Sequence, residues 1–149
     1  MLTRRTFVAA AALLPLAGVA RAKPPVVCAL EGAAIGGYDP VAYFTEGVAR
    51  RGSAEHRLKW RGAVWHFSSA QNREVFERMP RAYAPRYGGY CAYAMARGFA
   101  AKGDPDLWRI HNGRLYLVHD RRALNQWLSD ISGHVERADG NWLAVLGRK

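Results

Sequence analysis

The chain has 149 residues, 50% of them hydrophobic, with 22 Lys and Arg against 12 Asp and Glu. That length and apolar content support one domain with a real core and exclude a disordered chain. The net charge of +10 is scattered in ones and twos, such as Arg50-Arg51 and Arg121-Arg122; with no basic run or nucleic-acid motif, it describes a solvated surface weakly attractive to anionic lipid or acidic partners, not a nucleic-acid binder.

Taken in chain order, Thr3-Arg4-Arg5-Thr6-Phe7 is a twin-arginine pattern, followed by an uncharged run from Phe7 to Ala20 and then Ala20-Arg21-Ala22. Residues 1–22 therefore read as an export signal cleaved near Ala22. The apolar run holds 14 residues and contains Pro15 and Gly18. A bilayer span needs about 20, so no transmembrane segment is expected in the mature chain. Cleavage removes Arg4, Arg5 and Arg21, leaving 19 basic residues against 12 acidic ones. The implied destination is the periplasm, whose oxidising character would permit the one disulfide available, between Cys28 and Cys91.

Residues 23–32, with Pro24-Pro25, read as an extended leader, and the domain is expected over 33–146. Gly36-Gly37 and Asp39-Pro40 punctuate a turn in which Asp39 accepts hydrogen bonds from its own backbone. The polar segment from Thr45 to Arg57 reads as loop. Leu58 to Phe67 predicts a hairpin turning near Arg61-Gly62. A helix follows, with Ser68 and Gln71 as a capping box and Phe76, Met79 and Tyr83 as its apolar face, before Pro80 and Pro85 break the chain. Asn112-Gly113, flanked by Leu107–Ile110 and Leu115–Val118, predicts a second hairpin. From Arg121 the pattern is helical: Asp120 is placed to cap it, Leu124, Trp127, Leu128 and Ile131 form a stripe, and Gly133 or Gly140 interrupts it before Trp142. These signals together describe a small single α+β domain with two β-hairpins and about three helices.

Chemistry centres on Tyr87-Gly88-Gly89-Tyr90-Cys91-Ala92-Tyr93-Ala94-Met95. Gly88 and Gly89 permit positive φ or a close approach to another group, and the small residues after them favour a short helix. Cys91 would then lie in its first turn, where free N–H groups favour a thiolate. Met95, four residues on, shares its face, so Cys91 and Met95 offer two sulfurs to a copper-like ion, with Cys28 as a third soft ligand or a disulfide partner. Set against this, Cys and Met are common core residues. Tyr87, Tyr90 and Tyr93, three residues apart, would surround the thiol, although such a stripe is more often core packing. His-Glu-x-x-His, Gly-x-Ser-x-Gly, a phosphate-binding glycine loop and Cys-x-x-Cys are all absent, which argues against the common hydrolases and thioredoxin-like enzymes. The five histidines show no helical pair spacing; His66 is expected to face away from Trp65 and Phe67, and His111 and His119 to approach each other across the second hairpin.

From about Ala33 to Trp142 the chain resembles the bacterial YHS-domain proteins, in particular the exported YHS-domain (seleno)protein branch. The resemblance is carried by Gly37-Tyr38-Asp39-Pro40-Val41-Ala42-Tyr43-Phe44, Phe67-Ser68-Ser69-Ala70 with Asn72-Arg73 and Phe76, Tyr83-Ala84-Pro85 running into Tyr87–Ala94, and Gly103-Asp104-Pro105 with Trp108. It implies a treble-clef-like core and an association with metal, since short YHS modules occur in copper-transporting ATPases. Those modules carry cysteine where this chain has Ala42 and Ser68. Some relatives in the seleno branch carry selenocysteine at the position of Cys91, which implies ligand or redox chemistry there.

Three functional expectations follow. The first is an exported, non-enzymatic protein holding a copper-like metal ion through Cys91, Met95 and Cys28, with Gly88, Gly89, Tyr90 and Tyr93 around them. The second is a thiol redox protein, in which a low-pKa Cys91 reacts with a redox partner protein and Cys28 resolves it. The third is an interaction module with Cys91 packed in its core.

Overall fold

Three Xaa-Gly pairs fold the chain back on itself: Glu31-Gly32 (φ 53° and 81°), Arg61-Gly62 (50° and 75°) and Asn112-Gly113 (50° and 72°). Two successive positive φ angles define the type I′ turn, whose twist matches that of the strands it joins. In the computed structural model, which describes Gly18 and residues 22–148, each pair closes an antiparallel two-stranded hairpin. These are β1 (Ala29–Leu30) with β2 (Ala33–Ala34), β3 (Ser53–Trp60) with β4 (Ala63–Phe67), and β5 (Asp104–His111) with β6 (Arg114–Val118). The fold is mixed α+β. The expected export signal lies outside the described residues, Gly18 and Ala22 apart.

The first hairpin went unread because two-residue strands leave no alternation to detect. Its consequence is that residues 23–32 are not a leader: Val27 and Cys28 are buried, and β1 pairs within the fold. Likewise β3 starts at Ser53, inside the segment expected as loop, because its first residues face solvent and a bulge between Ser53 and Arg57 breaks the alternation.

Three longer helices, α2 (Ala70–Arg78), α5 (Arg121–Ser129) and α6 (Ile131–Val145), are joined by the short α1 (Ala42–Thr45), α3 (Pro80–Tyr83) and α4 (Ala92–Ala96). Asp120 caps α5 as expected, accepting from the Ala123 N–H at 2.7 Å. The cap of α2 is Ser69, one residue later than expected, with Asn72 N–H donating at 3.1 Å. Met79 ends α2 and is 55% exposed instead of belonging to its apolar face. The last helical pattern breaks at Asp130 (φ −157°), whose carboxylate caps α6 through Gly133 N–H at 3.1 Å. Gly133 thus lies inside α6 and does not interrupt it: a Cβ there would run into the Asp130 carboxylate.

Strand β6 divides the core. Leu115 and Leu117 face a cluster with Trp65, Phe67, Phe76 and Tyr43, while Tyr116 and Val118 face a second with Tyr87, Cys91, Met95 and Trp127. A strand buried on both faces is why Leu115–Val118 reads as an unbroken apolar run.

The first cluster is tied by Asp39, which is fully buried. Its Oδ1 accepts from Val41 N–H at 2.9 Å, in its own turn as expected. Its Oδ2 reaches further, accepting from Ser68 N–H at 2.8 Å, Ser68 Oγ at 2.7 Å and Asn72 Nδ2 at 2.8 Å. Ser68 is therefore held by Asp39 and is not free to cap α2. Asp39→Ala strands these donors in the interior and is expected to cost about 3 kcal/mol of stability, read from urea unfolding; Asp39→Asn, which keeps one acceptor oxygen, should lose less.

Candidate functional site

Tyr87, Gly88 and Gly89 all adopt positive φ (59°, 64° and 88°). A Cβ on Gly88 would overlap the Val26 carbonyl, and one on Gly89 would press on the Ile35 side chain. The Gly88 carbonyl accepts from Cys28 N–H at 2.9 Å. Both uses anticipated for this glycine pair, positive φ and close approach, are therefore realised, and the approaching group is the 26–28 segment.

The chain leaves this turn by bridging Tyr90 to Lys102 and Cys91 to Leu117, with Cys91 N–H donating to the Ala101 carbonyl at 2.8 Å. Cys91 is the N-cap of α4, one residue ahead of the first turn, and its Sγ accepts from Ala94 N–H at 3.4 Å. It is 1% exposed. Burial pushes its pKa up, the backbone N–H groups of Ala94, His119 and Tyr93 pull against that, and Asp120 adds to the rise; the net direction is upward. Burial therefore works against the low-pKa thiolate expected here. Cys28 is also raised by burial, with the Gly103 backbone and Lys102 opposing. Both cysteines are free thiols.

Tyr87 and Tyr90 share the buried cluster of Cys91, with Tyr93 packed against it, and the three turn their polar ends to separate partners. Tyr87 Oη donates to Asp139 Oδ1 at 2.9 Å, and Tyr90 Oη donates to the Pro25 carbonyl at 2.9 Å. Tyr93 stands edge-on to His134, ring centroids 5.3 Å apart, with the Arg97 guanidinium 5.7 Å from its own centroid. Of the three, Tyr93 alone shares a cleft with Cys91.

That cleft, about 380 Å³, has Cys91 in its lining together with Tyr93, Arg97, Phe99, His119 and Arg122. Arg97, Phe99 and Arg122 were not anticipated, because residues 91–99 and 119–126 meet only through the packing of α4 and α5 beside β6; His119 was, as one of two histidines that could complete a site with Cys91. His111 does not approach His119: it pairs with Arg114 at the turn, whereas His119 follows β6 at the open end of the hairpin. There its Nδ1 lies 2.9 Å from the Lys102 carbonyl. His66 is half-buried, and its ring lies beside Gly37 instead of open solvent.

The expected metal donors fit a copper-like ion poorly. Met95 is fully buried, and no group of three His, Cys, Asp or Glu converges among the described residues. No family model, curated protein or solved structure matches the chain. No helix among the described residues is long and apolar enough to cross a membrane.

Two outcomes follow. Iodoacetamide should alkylate Cys91 in a Cys28→Ser background at least about tenfold more slowly at pH 8 than a free cysteine, whose pKa is about 8.5; mass spectrometry reads the rate. Both thiols, with Tyr43 and Tyr87, have raised pKa values caused first by burial. The native state then keeps protons that the unfolded chain releases, so their contribution is intact below the unfolded pKa and is lost as pH rises. The urea midpoint should fall from about pH 8.5 upward, and less steeply in Cys28→Ser/Cys91→Ser up to the onset of tyrosine ionisation.

Proposed function

We propose that this chain is an exported, YHS-type binding module that acts without catalysis, taking a small acidic ligand in the cleft over Cys91. The single observation that carries this reading is the cleft itself, which pairs an apolar wall with a basic rim. Phe99 is 51% exposed and Tyr93 half-buried, giving a carbon body a surface to lie on. Arg97, Arg122 and His119 line the same space, and the facing carboxylate, Asp120, already accepts from Ala123 N–H. With Nδ1 facing the Lys102 carbonyl, neutral His119 carries its proton there and leaves Nε2 to accept from a hydroxyl or N–H of the ligand, so the positive rim is Arg97 and Arg122.

In this reading Cys91 is a neutral, polarisable contact and the N-cap of α4. It is neither an attacking thiolate nor a metal anchor. The family resemblance and the twin-arginine pattern support export to the periplasm, where small carboxylates and acidic peptides are accessible partners.

The test is an amide-resolved NMR titration with benzoate and glutarate at millimolar concentrations. Shift changes should cluster at Tyr93, Phe99, His119 and Gln126 and vanish in Arg97→Gln/Arg122→Gln. Changes spread evenly over the surface, or none, would overturn the proposal. A competition assay for copper(I) separates it from the metal reading: wild type and Cys91→Ser should compete equally weakly, and a strong Cys91-dependent site would restore the metal.

A further inference from the structure

At the opposite end of the second hairpin lies another cleft, of about 220 Å³, lined by four arginines: Arg61, Arg81, Arg86 and Arg114. Arg114 opens β6 and His119 follows its end, so about 16 Å of strand separates this cleft from the one over Cys91. Each arginine comes from a different element: the β3–β4 turn, α3, the turn leading to Gly88, and the start of β6. No acidic side chain lines the cleft.

Arg86 has a partner in Asp139 at 2.9 Å. The same Asp139 oxygen also accepts from Tyr87 Oη, so it is shared between two donors. Arg61, Arg81 and Arg114 form no ion pair among the described residues. Arg61 is held over the Trp60 ring, 4.7 Å from its centroid. Partial burial and the nearby charge of Arg81 both work against its own charge. Arg61 and Arg81, like charges drawn together with no acidic partner of their own, are relieved by an anion between them.

We propose that this cleft is a binding site for a phosphate group, free or carried on a larger molecule. Guanidinium forks match phosphate oxygens bidentately, and three without an acidic partner, beside a fourth shared with Asp139, suit a dianion better than a carboxylate. The volume falls below the roughly 300–1,000 Å³ of clefts that enclose whole small molecules, which fits an anionic head group. Trp142 and Pro85 line the same cleft and offer an apolar surface to whatever the phosphate is attached to. Nothing in this site depends on the ligand of the Cys91 cleft.

Calorimetric titration of the full chain at low ionic strength, with pyrophosphate as probe, tests it. Wild type should bind, and Arg81→Gln/Arg114→Gln should bind at least tenfold more weakly with an unchanged melting temperature. Lys59→Gln/Arg109→Gln, which removes the same charge elsewhere, should bind like wild type. Cosedimentation with phosphatidylcholine vesicles containing phosphatidic acid or phosphatidylglycerol identifies the source. Capture by phosphatidic acid alone, with or without pyrophosphate binding, supports a lipid-borne phosphate; pyrophosphate binding without vesicle capture supports a soluble one. Equal loss in both double variants, equal capture by both lipids without pyrophosphate binding, or no binding to any probe would overturn the proposal.

Discussion

At Gly88 and Gly89 three stretches of backbone meet with no room for a side chain between them. The Gly88 carbonyl takes the Cys28 N–H, a Cβ on Gly88 would strike Val26, and a Cβ on Gly103 would strike the Gly89 carbonyl. The N-terminal segment, the turn and the approach to β5 are locked together there, and both halves of the core depend on it. The turn also sets the two clefts. Arg86, at its start, faces one; Cys91, just beyond its end, faces the other. A backbone contact this close is available only to glycine, since a Cβ at Gly88 or Gly103 would overlap the facing carbonyl.

The environment of Cys91 shows which of two opposed effects prevails. A helix N-terminus stabilises an anion by about 0.3–1 kcal/mol, up to about 2 in favourable geometry. Complete burial can move a pKa by about 3–5 units, each worth about 1.4 kcal/mol. The helix that Cys91 caps has five residues, and the sulfur is almost wholly enclosed. Desolvation therefore outweighs the backbone N–H groups, and the thiol keeps its proton to higher pH than a solvent-facing one at the same helix end would.

Local chemistry was legible wherever one residue and its immediate neighbours sufficed. Asn112-Gly113 and Arg61-Gly62 turn the hairpins because glycine, and asparagine before it, take positive φ readily, and Asp120 caps α5 through a bond three residues away. The misreadings share a cause, which is competition from residues distant in sequence. Ser68 has the chemistry of a cap, yet Asp39, 29 residues earlier, takes its N–H and hydroxyl, and Ser69 caps α2 instead. Gly133 looked like a helix breaker, yet its missing Cβ is what admits the Asp130 carboxylate.

The sequence by itself determined the α+β class, two of the three hairpins, the glycine pair's need for positive φ and the placement of Cys91 at a helix start. These follow from backbone preferences and short-range hydrogen bonds, which act within a few residues. Tertiary structure alone decided that Cys91 is enclosed and its pKa raised, that the three tyrosines turn to separate partners, and that His119 rather than His111 stands beside the thiol. It also gathered four arginines from four elements into one cleft. Burial and charge clustering depend on which surfaces meet in space, and that is set by the packing of every element at once.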